Sequence, residues 1–288
     1  MPTETHHYGQ DHALQTVTVT TLDTQVDKGY WLIFIHGGAW RDPTQTSINY
    51  LNPTASILTN SPTYSSAARR ITAFASIEYR LSPHPSHPQD PQSTDPKECR
   101  TAKHPDHIND VQAALAFLQK KYGFGERYVL IGHSCGATLA FQSVMGAFGA
   151  GFPGPVAVLG TAGVYDLKLL RDTHREISAY REIVEGAFGT DEAGWDAVSP
   201  AVVEGVNGVA DGWKSGRLAV LAYSANDSLV DPEQREVMKA SLGPWVKSRP
   251  GRRVEMFSLQ GDHDDCWEKS EELVKAIAFT LQELQTDA

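Results

Sequence analysis

The chain has 288 residues, 41% of them apolar and 21% charged, which is ordinary for a packed globular protein and excludes a disordered or collagen-like chain. Its formal charge of −10 lacks the Lys/Arg excess that nucleic acid or an anionic membrane surface would require, so neither is expected as a partner. Cys99, Cys135 and Cys266 are too few for a disulfide framework, stretch 1–15 is polar, and no run reaches the roughly 18 apolar residues of a membrane span. A cytoplasmic location and a single domain over 1–288 are therefore expected.

In chain order, β-rich runs alternate with helical patterns. Run 16–22 leads to run 31–35, where Trp31-Leu32-Ile33-Phe34-Ile35 is continuously apolar, as a strand covered on both faces should be. Directly after it comes His36-Gly37-Gly38-Ala39-Trp40. A glycine-rich loop leaving a strand frees backbone N–H groups to point into a cavity. Gly38 and Ala39, with Gly37 as a further candidate, are expected to donate to an oxyanion, and His36 to fix the loop. Run 72–79 is followed by segment 82–105, which holds Pro83, Pro85, Pro88, Pro91, Pro96 and Pro105 and so cannot continue as helix or central strand. It is expected to be a surface loop, either a wall of the site or a tolerated insertion. His84, His87, His104, His107 and Cys99 lack compact metal-ligand spacing, and no metal site is expected there.

From Asp106 onward, Ile108, Val111, Leu115 and Leu118 recur at helical spacing. Run 128–131 then meets Gly132-His133-Ser134-Cys135-Gly136, a G-x-S-x-G sequence set before a helical pattern over 135–148. That context lets a nucleophile sit on a sharp strand-to-helix turn with its hydroxyl exposed. Ser134 is the expected nucleophile, and the N–H of Cys135 joins the oxyanion donors. After runs 156–161 and 218–223, Asp227 lies at the end of a strand, where it is expected to orient the base. Asp231, just before Pro232, suits the cap of a helix over 232–246. The last run, 254–259, opens into Gln260-Gly261-Asp262-His263-Asp264-Asp265 before a helix over 270–284. His263 is the expected general base, and its acidic neighbours would favour the imidazolium if they lay close to it. Strands alternating with helices, and the order Ser, Asp, His, predict an α/β-hydrolase fold with a mostly parallel central sheet flanked by helices.

His36-Gly37-Gly38-Ala39-Trp40 also matches the H-G-G-x-W motif of kynurenine formamidase (arylformamidase), and the chain resembles that family along most of its length. Further support comes from Tyr8-Gly9 leading to Leu14-Gln15, from Glu78-Tyr79-Arg80-Leu81-Ser82-Pro83, from His104-Pro105 through Asp110, and from Gly163-Val164-Tyr165-Asp166-Leu167. Carried over position by position, the family's triad falls on Ser134, Asp227 and His263, and its oxyanion loop on Gly37, Gly38 and Ala39 with Cys135. Cys135 and the proline-rich segment depart from the family's pattern. The resemblance implies hydrolysis of N-formyl-L-kynurenine to L-kynurenine and formate, a step of tryptophan catabolism, on a small-molecule substrate without metal or organic cofactor. Trp40 and Tyr165 are then candidates for the wall that meets the aromatic leaving group. A carboxylesterase of the hormone-sensitive-lipase-like group would use the same triad, and Trp40 is the residue that argues against it. A non-catalytic hydrolase-fold receptor is disfavoured by the presence of Ser, Asp and His in order.

Overall fold

The computed structural model describes residues 2–22, 29–149 and 151–285. The continuously apolar runs are strands because both of their faces are covered. In β3 (Tyr30–Ile35), Trp31, Ile33 and Ile35 enter one core while Leu32 and Phe34 enter the other. The same alternation divides β5 (Tyr128–His133), with Tyr128 and Leu130 on one side and Val129 and Ile131 on the other. With β1 (Thr3–His7), β2 (Thr16–Thr21), β4 (Ile71–Ile77), β6 (Ala157–Thr161), β7 (Leu218–Ser224) and β8 (Arg253–Leu259), they form one eight-stranded sheet in the order β1-β2-β4-β3-β5-β6-β7-β8. Strands β3 to β8 are parallel, and β2 runs antiparallel to β1 and β4. The chain steps outward from β3 to β4 and then back across to β5. The crevice at such a reversal of strand order, at the carboxyl ends of the strands, is where ligands bind in open α/β sheets.

Four elements differ from the sequence expectation. Strand β1 is a polar edge, paired to β2 and tied by Thr3–Thr20 and Thr5–Thr18 hydroxyl contacts of 2.9 Å, so it shows no hydrophobic period. The helix Ser47–Asn60 contains Pro53, which costs an interior hydrogen bond, yet it buries Tyr50, Leu51, Ala55 and Leu58. The pattern over 232–246 is two helices, Pro232–Ser241 and Gly243–Lys247, because Pro244 has no N–H to continue the first. Likewise the helix after Ser134 ends at Gln142, and Gly146 turns to donate to Gly208 O.

Segment 82–105 is irregular apart from one short turn of helix at Pro96–Glu98. Just ahead of it, Arg80 forms a two-pronged pair with the buried Asp110, Nε–Oδ2 at 2.8 Å and Nη2–Oδ1 at 2.9 Å, and Gln15 Nε2 donates to the same carboxylate at 2.8 Å. Three stretches far apart in sequence are thereby held together. Among the described residues, no helix is long and apolar enough to cross a membrane.

Candidate active site

Strand β5 ends at His133 and the next helix begins at Cys135, so Ser134 alone makes the turn, at φ 51° and ψ −122°. For a residue with a Cβ such a conformation costs about 1–3 kcal/mol and persists only where the surroundings enforce it. They do so here. Ser134 N donates to Thr161 O at 2.9 Å, and Val164 N donates to Ser134 O at 3.4 Å. A Cβ on Gly132 would lie 2.3 Å from Gly136 O, and one on Gly136 would lie 2.3 Å from Ile35 O. The two glycines let the turn close against β3.

The loop after β3 is also strained, with Gly38, Ala39 and Trp40 at φ 90°, 49° and 58° in succession. Arg41 N and Asp42 N both donate to Gly38 O, closing the turn. Trp40 N donates to Cys135 Sγ at 3.2 Å, which fastens this loop to the residue after Ser134. Burial pushes the Cys135 thiol up to about 11, so it remains a neutral acceptor. The sequence reading assigned only the backbone N–H of Cys135; the side chain is a second link. Gly37 corrects the expectation. Its N–H donates to Tyr50 Oη at 3.1 Å and does not face the cavity, which Gly38, Ala39 and Cys135 do line. His36 is fully buried, in contact with Gly37 O at 2.9 Å and stacked on Tyr79.

Asp227 and His263 lie just past the ends of β7 and β8, neighbouring strands. His263 Nδ1 is 2.9 and 3.0 Å from the two oxygens of Asp227, whose side chain is wholly buried and also accepts from Leu229 N and Val230 N. Since an ionised carboxylate only accepts, Nδ1 carries the proton and Nε2 is left as the acceptor. Asp231 occupies the N-cap position of its helix but makes no capping bond. Its carboxylate instead meets His174 Nε2 at 2.6 Å. The acids around His263 bind within the loops. Asp262 Oδ1 accepts from Ser228 N, Ser228 Oγ and His263 N at 2.9, 2.8 and 2.7 Å, clipping the Asp227 loop to the His263 loop, and these bonds hold its carboxyl below the usual range. Asp264 accepts from Trp267 Nε1.

Behind the site lies a chain of contacts that the sequence did not signal. His133 Nε2 is 3.0 Å from His263 O and must donate to it, so His133 Nδ1 accepts from Tyr50 Oη at 2.7 Å. Burial, and then the neighbouring His263, lower the pKa of His133, which keeps it neutral as this pattern requires. Tyr50 thus joins the Gly37 loop to the His263 loop. Tyr50→Phe, which takes the hydroxyl from three buried partners, Gly37 N, Gln45 Oε1 and His133 Nδ1, is expected to cost about 1–3 kcal/mol in equilibrium chemical unfolding. A loss below about 0.5 kcal/mol, the range of a neutral surface change, would show that the link carries no load. Among the described residues, the one group whose ligand atoms converge to metal-binding distance is His133, His263 and Asp264. Both nitrogens of His133 are already engaged, so the group does not offer a free donor set. The histidines around the proline-rich segment are scattered: His104 stacks on Phe188 and His107 contacts Ser82 Oγ.

Ser134, His263, Gly38, Ala39 and Cys135 open onto one cavity of about 480 Å³. Trp40 lines it and packs edge-on against Phe188. Tyr165 does not. It is 1% exposed, with its ring against Phe141 and its hydroxyl packed over Gly160 and Gly163, so it is a core residue and not a wall of the cavity. The wall comes instead from Leu170 and from Ile177, Tyr180 and Ile183, on or beside the helices Leu167–Thr173 and Ser178–Phe188. Apolar residues at 180, 183, 184, 187 and 188 form the helical period that marks this element in the sequence.

No family model matches the chain. A kynurenine formamidase-like hydrolase of Fusarium equiseti is 40% identical over 261 residues, covering 89% of this chain and 84% of the relative. The kynurenine formamidase of Aspergillus versicolor is 34% identical over 285 residues, 90% and 92% of the two chains, and that of Meyerozyma guilliermondii is 31% identical over 80% and 77%. Among solved structures, Esterase B from Lactobacillus rhamnosis superposes with a TM-score of 0.62 at 18% identity, covering 99% of this chain and 84% of that one. A thermostable esterase from Pseudomonas putida gives 0.60 at 18% identity, with 98% and 80% covered. These similarities establish the α/β-hydrolase fold.

Proposed function

The chain belongs to the kynurenine formamidase family, and from that membership we propose that it is a serine hydrolase cleaving N-formyl-L-kynurenine to L-kynurenine and formate. The observation that carries the reading is His263, 2.9 Å from the buried Asp227 and lining the same cavity as Ser134 and the strained Gly38-Ala39 turn. Ser134 Oγ attacks the formyl carbon as His263 Nε2 takes its proton, and the N–H groups of Gly38, Ala39 and Cys135 hold the developing oxyanion. His263 then protonates the leaving aryl nitrogen and the C–N bond breaks. Water, deprotonated by His263, attacks the formyl-serine ester; formate leaves and Ser134 recovers its proton. Each step is carried by residues of this chain, and a cytoplasmic enzyme acting on a small molecule is the setting that fits it.

A substrate panel with the purified protein tests the reading. kcat/KM is expected to be higher for N-formyl-L-kynurenine than for short-chain esters. It should fall at least about tenfold for N-acetyl-L-kynurenine, the discrimination one added methyl can bring. A preference for butyryl or longer esters, with negligible formate release from N-formyl-L-kynurenine, would make the protein a carboxylesterase.

A further inference from the structure

The cavity that holds Ser134 adjoins a second one of about 550 Å³, walled by Pro83, Pro85, Pro88 and Pro91 of the proline-rich segment, and Arg41 and His84 line both. Arg41 follows the oxyanion loop directly and is the one Lys or Arg on the wall of the Ser134 cavity. Among the described residues its guanidinium has no hydrogen bond and no ion pair; Glu182, across the second cavity, and Asp42 act on it only as nearby charges. The other guanidinium of the second cavity is committed, since Arg100 Nη2 donates to His87 O at 2.6 Å. His84 adds no standing cation at neutral pH, because partial burial and then Arg41 lower its pKa. A half-buried guanidinium left without an acceptor, on the wall shared by two neighbouring cavities, presents the planar fork that binds carboxylates in pairs of hydrogen bonds.

We propose that Arg41 binds a carboxylate on the leaving-group side of the substrate, and that the proline-walled cavity receives that amino-acid tail with its ammonium group toward Glu182. The assignment rests on the formamidase reading and gives the site a preference for amino-acid formamides over neutral ones. It also gives segment 82–105 a binding role.

The test compares N-formyl-L-kynurenine with 2-formamidoacetophenone, the same aryl formamide ketone without the amino-acid tail. Arg41→Met is expected to lower kcat/KM about 10- to 100-fold for the first, the worth of a charge-assisted pair, and less than about 3-fold for the second. Arg100→Met should produce no such split. Inhibition of p-nitrophenyl acetate hydrolysis gives a readout independent of formamide cleavage. L-Kynurenine should lose at least about tenfold in affinity in Arg41→Met, while 2-aminoacetophenone should not. Equal losses for tailed and tailless compounds, no loss for either, or a split that follows Arg100 overturns the assignment. If the unaltered protein cleaves the ester but neither formamide, the formamidase reading fails, and the inhibition pair still decides whether Arg41 holds a carboxylate.

Discussion

Ser134→Ala is expected to lower kcat by about six orders of magnitude, the loss seen when the serine of such a triad is removed. Alanine keeps the Cβ and therefore the same backbone cost at φ 51°, and the bonds that hold the turn, to Thr161 O and from Val164 N, come from the main chain. Stability should accordingly stay within about 0.5 kcal/mol of the unaltered chain, as for a substitution that breaks no buried contact. That separation makes the experiment informative. Turnover of N-formyl-L-kynurenine is measured beside an unfolding curve, and the intact protein is treated with an organophosphate and weighed by mass spectrometry. A covalent adduct on Ser134, absent in the variant, would complete the case. Near-normal turnover in a pure, folded Ser134→Ala preparation would falsify the assignment of the nucleophile and leave the cavity as a binding site only.

The second large effect separates two aspartates four positions apart. Asp227→Asn is expected to reduce kcat by about four orders of magnitude, because an amide facing His263 Nδ1 can donate and so favours the tautomer with the proton on Nε2. Its carboxylate is fully buried, and Oδ1 also receives Leu229 N and Val230 N, so the amide oxygen can retain those bonds and the loop should survive. Asp231→Asn removes a contact to His174, whose ring lies stacked on Tyr180 at 3.9 Å. It should weaken the packing of the cavity wall and change kcat by less than about tenfold, since it touches no reacting group. A reversed order, with both variants folded, would move the orienting role to Asp231.

Where the two loops could be read from sequence, physics explains why. Ser134 and Asp227 each follow a mostly apolar strand and His263 a mixed edge strand, and the turn chemistry beside them is local: glycines two residues either side of Ser134, Pro232 after Asp231, Gly261 before His263. The central strands were legible for the same reason, as runs covered on both faces. Strand β1 was not, because hydroxyl and histidine side chains on an exposed edge carry no apolar period. The helix Ser47–Asn60 was hidden by Pro53 and is held by the burial of one face, the Thr46 cap and the Glu78 carboxylate that accepts from Ser47 N. Tyr165 misled because an aromatic residue beside a site looks the same in sequence whether its ring faces the cavity or the core; here the small residues Gly160 and Gly163 make room for it inside. Nor could the sequence show that Gly37 spends its N–H on Tyr50, or that Asp262 ties Ser228 to His263, since both contacts join segments that meet only when the sheet is complete.

The arrangement of the strands bears on when activity arises during folding. The oxyanion loop leaves β3 and the elbow leaves β5, its neighbour, so both can take shape once the middle of the sheet has formed. Under the proposed assignment the base waits for β8, at the far end of the sheet and after all seven other strands in the chain, and its orienting acid waits for β7. Bringing together segments as far apart in sequence as those that carry Ser134 and His263 is slow, and β8 is the last of the strands in chain order. A nascent or refolding chain would therefore carry its serine in place yet remain inert, and regain of turnover would mark closure of the last edge of the sheet rather than the first appearance of helix.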